Sequence, residues 1–270
     1  MALDELSIKN SAWAWNTLRE ARALDSQLRE ETITDLLVHN IKKWGAGKIL
    51  IKDFTKHEES LNGSDWEWWF TGPTGKWLGM RVQAKVLNLK SGKYEHLHHK
   101  NKNGAQVDLL INSANASAAI PLYCLYTNWD TARYKASWMC KTYKPTVRHY
   151  GTAVLNPDVV KSLQTSKETR LEKIIQSLRP MHCIFCCSGF SSGDLPNRAL
   201  GWLRGAELLQ ADAIHDESYL KDAPPAHVAR LLLSDSSTEL FELGDDRLKR
   251  ITVFRECKEP EDMISTHLIR

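Results

Sequence analysis

Gly63-Ser64-Asp65-Trp66-Glu67-Trp68-Trp69-Phe70, followed after Thr71-Gly72-Pro73-Thr74-Gly75 by a segment centred on Arg81-Val82-Gln83-Ala84-Lys85, is the stretch from which the fold can be read. Residues 65–70 alternate and are rich in aromatics, residues 77–87 alternate around Leu78, Met80, Val82 and Val86, and glycine and proline supply the turn between them. This predicts a β-hairpin. Side chains two apart on a strand share a face, so Asp65 and Glu67 fall together opposite Trp66 and Trp68. Gln83 and Lys85 likewise fall together opposite Val82, Ala84 and Val86. If the aromatic and aliphatic faces pack into one core, all four polar residues are driven to the same side. Oxygen ligands of this kind suit Mg²⁺ or Mn²⁺, and a nearby ammonium can orient a water or neutralise charge developing at phosphorus. A solvated sheet face has the same pattern, with cross-strand pairs contributing roughly a few tenths of a kcal/mol. The surrounding elements decide between the two.

Composition narrows the class. With 270 residues, 42% of them apolar and 26% charged, the chain can bury a sizeable core. No repeat, low-complexity tract or linker divides it, so one α/β domain over residues 1–270 is expected. No apolar run reaches membrane-spanning length, and Met1-Ala2-Leu3-Asp4-Glu5-Leu6 lacks the basic and hydrophobic regions of a signal peptide. A cytoplasmic location with no membrane partner follows as the expectation. A net charge of +3 is compatible with a polyanion but does not require one. Cys124, Cys140, Cys183, Cys186, Cys187 and Cys257 show no disulfide-framework spacing, which suits a reducing compartment. The run His182-Cys183-Ile184-Phe185-Cys186-Cys187 invites a zinc reading, yet Cys124, Cys140 and Cys257 belong to no Cys-x-x-Cys or His-x-x-x-His element. The run reads instead as a buried central strand, with Cys186 and Cys187 as small core residues.

Residues 1–44 carry apolar side chains at helical spacing and predict two helices. Leu18, Ala21, Leu24 and Leu28 form one stripe, and Ile33, Leu37, Ile41 and Trp44 form the next until Gly45-Ala46-Gly47 ends it. At 100° per residue Glu30 lies on the second stripe and Glu31 points away from it, which makes Glu30 the inward acid. A first-turn glutamate favouring the helix dipole has the same position. A strand is expected at 48–55, then the charged loop 56–60, then the hairpin. Beyond it, residues 89–103 bear Lys90, Lys93, Lys100 and Lys102 with His96, His98 and His99, a basic and flexible segment able to touch phosphates. A helix at 106–117 and a buried strand at 121–126 follow. Further on come a strand at 150–155, helices at 158–164, 167–178 and 197–210, and a last hairpin from 240–243 and 251–254.

The order helix with an acid, three strands carrying Asp and then (Glu/Gln)-x-Lys, helix, strand resembles the restriction-endonuclease-like, or PD-(D/E)XK, nuclease core. Gln83-Ala84-Lys85 preceded by Val82 is most similar to the Mrr-type branch, in which Gln stands in for Glu. Glu59 through Trp69 also resembles a bacterial family of unknown function with the pattern Glu-x-x-x-Gly-(Ala/Ser)-Asp-Trp-Glu-Trp-Trp. The superfamily resemblance covers about residues 26–126 and implies an α-β-β-β-α-β core, a mixed central sheet flanked by helices, with residues 127–270 as a C-terminal α/β elaboration. It implies Asp65 as a metal-binding aspartate, Gln83 as a neutral oxygen ligand, Lys85 as the lysine that positions water, and Glu30 as the assisting helix acid. Gln83 brings one negative charge fewer than a glutamate, which Glu67, or else Glu59, is expected to restore. Gln106 resembles a glutamine of some branches.

The implied activity is Mg²⁺- or Mn²⁺-dependent cleavage of DNA, with RNA as a second candidate, a homodimer for double-strand cutting, and a role in bacterial defence. The competing reading is a catalytically inactive nuclease-fold module that binds nucleic acid or a protein. Trp69 alone among the hairpin tryptophans has the phase to line the site and stack on a base. For Trp66 and Trp68, core packing is the expectation.

Overall fold

The computed structural model describes residues 1–45, 47–53, 64–136, 140–188, 192–209, 217–233 and 250–256. Helices α1 (Leu3–Ala23) and α2 (Glu30–Trp44) open the chain, each with acidic residues in its first turn and basic ones in its last, as the helix dipole favours. Ile33, Leu37 and Ile41 form the buried stripe of α2. Strand β1 (Ile49–Asp53) precedes β2 (Trp66–Thr71) and β3 (Trp77–Val86). These last two form the expected antiparallel hairpin, with Trp66 opposite Val82 and Phe70 opposite Leu78. A short ribbon, β4 (Lys100–Asn101) and β5 (Gly104–Ala105), leads into α3 (Gln106–Ala116) and β6 (Ile120–Tyr126).

The C-terminal half adds β7 (Thr152–Leu155), α4 (Pro157–Ser162), α5 (Leu171–Ile174), β8 (Arg179–Pro180), α6 (Cys183–Cys186), α7 (Leu195–Gly205), β9 (Leu220–Lys221), α8 (Ala226–Leu233) and β10 (Arg250–Arg255). The main sheet runs β1-β10-β2-β3-β6-β7-β8, with β9 beside β3. It is mixed: β10 is parallel to β2 and β6 to β3, while β1, β3 and β7 run antiparallel to β10, β2 and β6.

Strand alternation sorts the two faces. Trp66, Trp68 and Phe70 join Leu78, Met80, Val82 and Ala84 against Leu18 of α1, Leu37 of α2, Phe185 of α6 and Leu203 of α7. Tyr123, Leu125 and Leu155 pack on the other side with Leu110 of α3 and Ile174 of α5. Trp69, Trp77, Ile251 and Val253 form a smaller cluster under Val228 of α8. The result is a mixed central sheet with helices on both faces. All six residues of β2 are buried, as a strand covered on both sides requires.

Four expectations are corrected. Residues 251–254 do form a strand, but it lies between β1 and β2 rather than in a terminal hairpin, because Ile251, Val253 and Phe254 bury both of its faces. Residues 240–243, its expected partner, lie outside the described residues. The helix expected at 167–178 shrinks to α5 and one 3-10 turn, since Lys167 takes a positive φ of 51° that no helix continues through. The cysteine run is one helical turn, not a strand; a short apolar run has no period to tell the two apart. The segment after β3 is anchored rather than flexible: Tyr94 and Leu97 are fully buried, and the Tyr94 N–H donates to Thr169 O at 2.9 Å.

The hairpin register makes a demand at Gly79, which sits opposite Trp69. A Cβ added there would come within 2.4 Å of the indole. Gly79→Ala is expected to lower the urea midpoint, at unchanged m, by an amount worth ~1–3 kcal/mol. An unchanged midpoint would show that the ring does not lie over Gly79.

Candidate functional site

Asp65 precedes β2, and its N–H donates to Val82 O at 2.9 Å, extending the hairpin by one step. That step sets Asp65 beside Gln83. Asp65 Oδ2 accepts from Gln83 Nε2 and, at 3.3 Å, from the Ala84 N–H. Glu30, the first residue of α2, hydrogen-bonds to Asp65, and its Oε2 lies 3.6 Å from Lys85 Nζ near the end of β3. Three separate elements thus bring Glu30, Asp65, Gln83 and Lys85 together. The cluster is no solvated face, since Gln83 is 1% and Lys85 7% exposed. Burial of charge on this scale is costly unless the groups are paired or hold an ion.

The electrostatics follow from that crowding. Burial pushes the Glu30 carboxyl up to about 8; the Lys85 ammonium opposes the shift, and the charge and hydrogen bond of Asp65 add to it. Near neutrality Glu30 therefore holds a proton against Asp65. Gln83 Oε1 is buried with no hydrogen-bond partner among the described residues. Two carboxyls beside an amide whose oxygen is unpartnered among the described residues are hard donors, which fit Mg²⁺ or Mn²⁺ and do not fit a soft metal, though it is Nε2 of the amide that faces Asp65.

Tyr123 was not found from the sequence. It pairs with Gln83 across the β3–β6 ladder, and its buried hydroxyl has no partner among the described residues. Burial first, then the charges of Asp65, Asp108 and Glu30, raise its phenol above the ordinary range. The only signal would have been the parallel register, which spacing does not encode.

Glu67 does not join the cluster. It shares the phase of Asp65 but sits two residues along, about 6.6 Å at strand rise. There it faces Arg81, and its carboxylate accepts from Trp69 Nε1 at 3.0 Å, meets His227 Nε2 at 2.8 Å and lies 3.3 Å from the Arg81 guanidinium. A carboxylate with three such neighbours is not a ligand waiting for an ion. Trp69, 1% exposed, is a core residue that offers no ring to a base. Trp66 and Trp68 lie in the core as expected, Trp66 Nε1 donating to Thr252 Oγ1 at 2.7 Å. Glu59 lies outside the described residues.

The four lysines are all exposed. Their segment begins next to α2, where Gln27 accepts from the Leu89 N–H at 2.9 Å and donates to Leu87 O at 3.3 Å, and where Lys90 lies 4.0 Å from Asp25. Gln106, at the start of α3, also leaves a buried side-chain oxygen without a partner among the described residues.

A family model matches residues 3–260, nearly the whole chain. The chain belongs to DUF6615, a family of unknown function. No curated protein and no solved structure matches it. The DUF6615 match takes in both the hairpin and β10, so the inserted C-terminal strand and the cluster beside it fall within one matched region.

The Glu30 carboxyl makes a pH prediction. A carboxyl raised on folding contributes stability that is complete below its unfolded value of 4.5 and is lost as pH rises through about 8. In chelator, the wild-type protein should lose stability across that window, and Glu30→Gln should flatten the loss. Parallel midpoint-against-pH curves for the two proteins would show that Glu30 ionises normally.

Proposed function

We propose that this DUF6615 protein is a metal-dependent phosphodiester hydrolase that cuts DNA, on a core of restriction-endonuclease-like order. One observation carries the reading: Asp65 contacts both the Gln83 side chain and Glu30, with Lys85 3.6 Å from Glu30. The order α2, β1, β2, β3, α3, β6 supports it, because each member of the cluster sits at the element where the resemblance expects it.

Asp65, Glu30 and the amide oxygen of Gln83 would hold Mg²⁺ or Mn²⁺. Such an ion supplies a water of lowered pKa and neutralises charge at phosphorus. The chain's own residues do the rest. The Ala84 N–H and the Gln83 amide orient the Asp65 carboxylate. Glu30 holds the Lys85 ammonium at the cluster, where it can donate hydrogen bonds to negative charge developing on a phosphate oxygen. Burial keeps those interactions in a low dielectric and strengthens them. Lys90, Lys93, Lys100 and Lys102 would contact backbone phosphates without reading sequence, each contact steepening the salt dependence.

Purified protein is incubated with supercoiled, linear and single-stranded DNA and with RNA, in Mg²⁺, Mn²⁺ or EDTA. Strand scission should require the added cation. Asp65→Asn and Lys85→Met, the latter keeping the apolar stem, should each lose at least ~10²-fold while still unfolding in one cooperative transition above the assay temperature. Replacing the four lysines by glutamine should weaken DNA binding and lower its salt slope by about one for each phosphate no longer neutralised. Intact substrate under every condition, with salt-sensitive DNA binding retained, would replace the hydrolase by a binding module.

A further inference from the structure

A second buried cluster shares no residue with the first. Cys183-Ile184-Phe185-Cys186 is a Cys-x-x-Cys pair wound on the single turn of α6, with His182 immediately before it. The fold brings Cys140, distant in sequence, against this turn. Cys140 Sγ lies 3.7 Å from Cys186 Sγ, and Cys183 Sγ lies 3.7 Å from His182 Nε2. The donor atoms of Cys140, His182, Cys183 and Cys186 all fall within 4.8 Å of one another. Cys187 Sγ stands alongside, 3.5 Å from both Cys140 and Cys186.

We infer that Cys140, His182, Cys183 and Cys186 form a structural zinc site. Sulfur ligands at ~2.3 Å and a nitrogen at ~2.0 Å around a tetrahedral ion lie roughly 3.5–3.8 Å apart, the spacing of the close pairs here. The four atoms are too tightly gathered to enclose a polynuclear iron–sulfur cluster, so the site takes a single ion. The thiols are free cysteines, and their sulfurs stand well beyond the ~2.05 Å of a covalent bond. A plain apolar core would explain cysteines alone, but not the imidazole. His182 is 0% exposed, and its Nδ1 has no partner among the described residues, so no hydrogen bond from that nitrogen holds the ring there. The Tyr143 N–H donates to Cys140 Sγ at 3.3 Å, an outer-shell contact of the kind that orients a thiolate ligand.

Four protein donors leave no open position, which makes the role structural. The ion would fasten the chain at Cys140 to α6, whose Phe185 packs on Phe70 and Phe254 in the sheet core. Tyr143 Oη continues the tie to α1 by donating to Asp4 Oδ2 at 2.7 Å.

The full chain, purified under reducing conditions without chelator, is assayed for metals by mass spectrometry and for zinc released on mercurial titration. About one zinc per chain is expected. Cys140→Ser and Cys183→Ser should lose it, and Cys124→Ala, in β6, should keep it. Should those serine variants not fold, the wild-type protein reloaded with Co²⁺ should show the visible absorption of a tetrahedral, thiolate-bound ion. Metal-free protein whose thiols all react at once, iron with sulfide absorption, a native mass two hydrogens short for a disulfide, or a cobalt form without thiolate bands would each overturn the assignment.

Discussion

The pairing of β2 with β3 is the constraint on which the rest of the structure depends. Because side chains alternate with a period of two, the register Trp66↔Val82 decides at once which residues enter the core and which meet at the cluster. It sends Trp66, Trp68 and Phe70 to the helices of one face and keeps Gln83 and Lys85 off it. It also sets the Asp65 N–H on Val82 O, and so the Asp65 carboxylate on Gln83 and Ala84. A slip of one residue would place Gln83 among the aromatics and send every side chain of the slipped strand to the opposite layer. Gly79 under Trp69 works against such a slip, since only a residue without Cβ accepts the indole there.

What could be read from the sequence was whatever a short-range period carries. The two-residue period gave the hairpin, and with it Asp65, Gln83 and Lys85 as neighbours; the helical period gave Glu30 as the inward acid of α2. What failed was whatever depends on distance along an element or on pairing between distant segments. Glu67 has the right phase but the wrong height on the strand, and phase alone cannot tell the two apart. The place of β10 between β1 and β2 is a pairing across most of the chain, invisible to local pattern. Tyr123 arrives by a parallel register, and Cys140 reaches α6 across β7 and β8. The Cys-x-x-Cys pair was there to be read, but its apolar flanks favoured a strand.

The two carboxylates on the polar side of the hairpin, Glu67 and Asp65, sit in different surroundings. Around Glu67 the acceptor is met from three sides by Trp69, His227 and Arg81, an arrangement that locks α8 over the sheet. Around Asp65 the groups do not match in the same way: Gln83 Oε1 and the Tyr123 hydroxyl have no partner among the described residues, and two carboxyls press against one ammonium. Leaving a buried polar atom unpaired costs roughly 1–3 kcal/mol. Apolar side chains of similar volume at such positions are often neutral or stabilising. The cysteine cluster shares no residue with either, and its helical turn joins the core beneath β2, where Phe185 packs on Phe70. Trp66, Trp68 and Phe70 project from the face of β2 opposite Asp65, so α6 braces the hairpin from the core side and leaves the polar side to Glu30, Gln83 and Lys85.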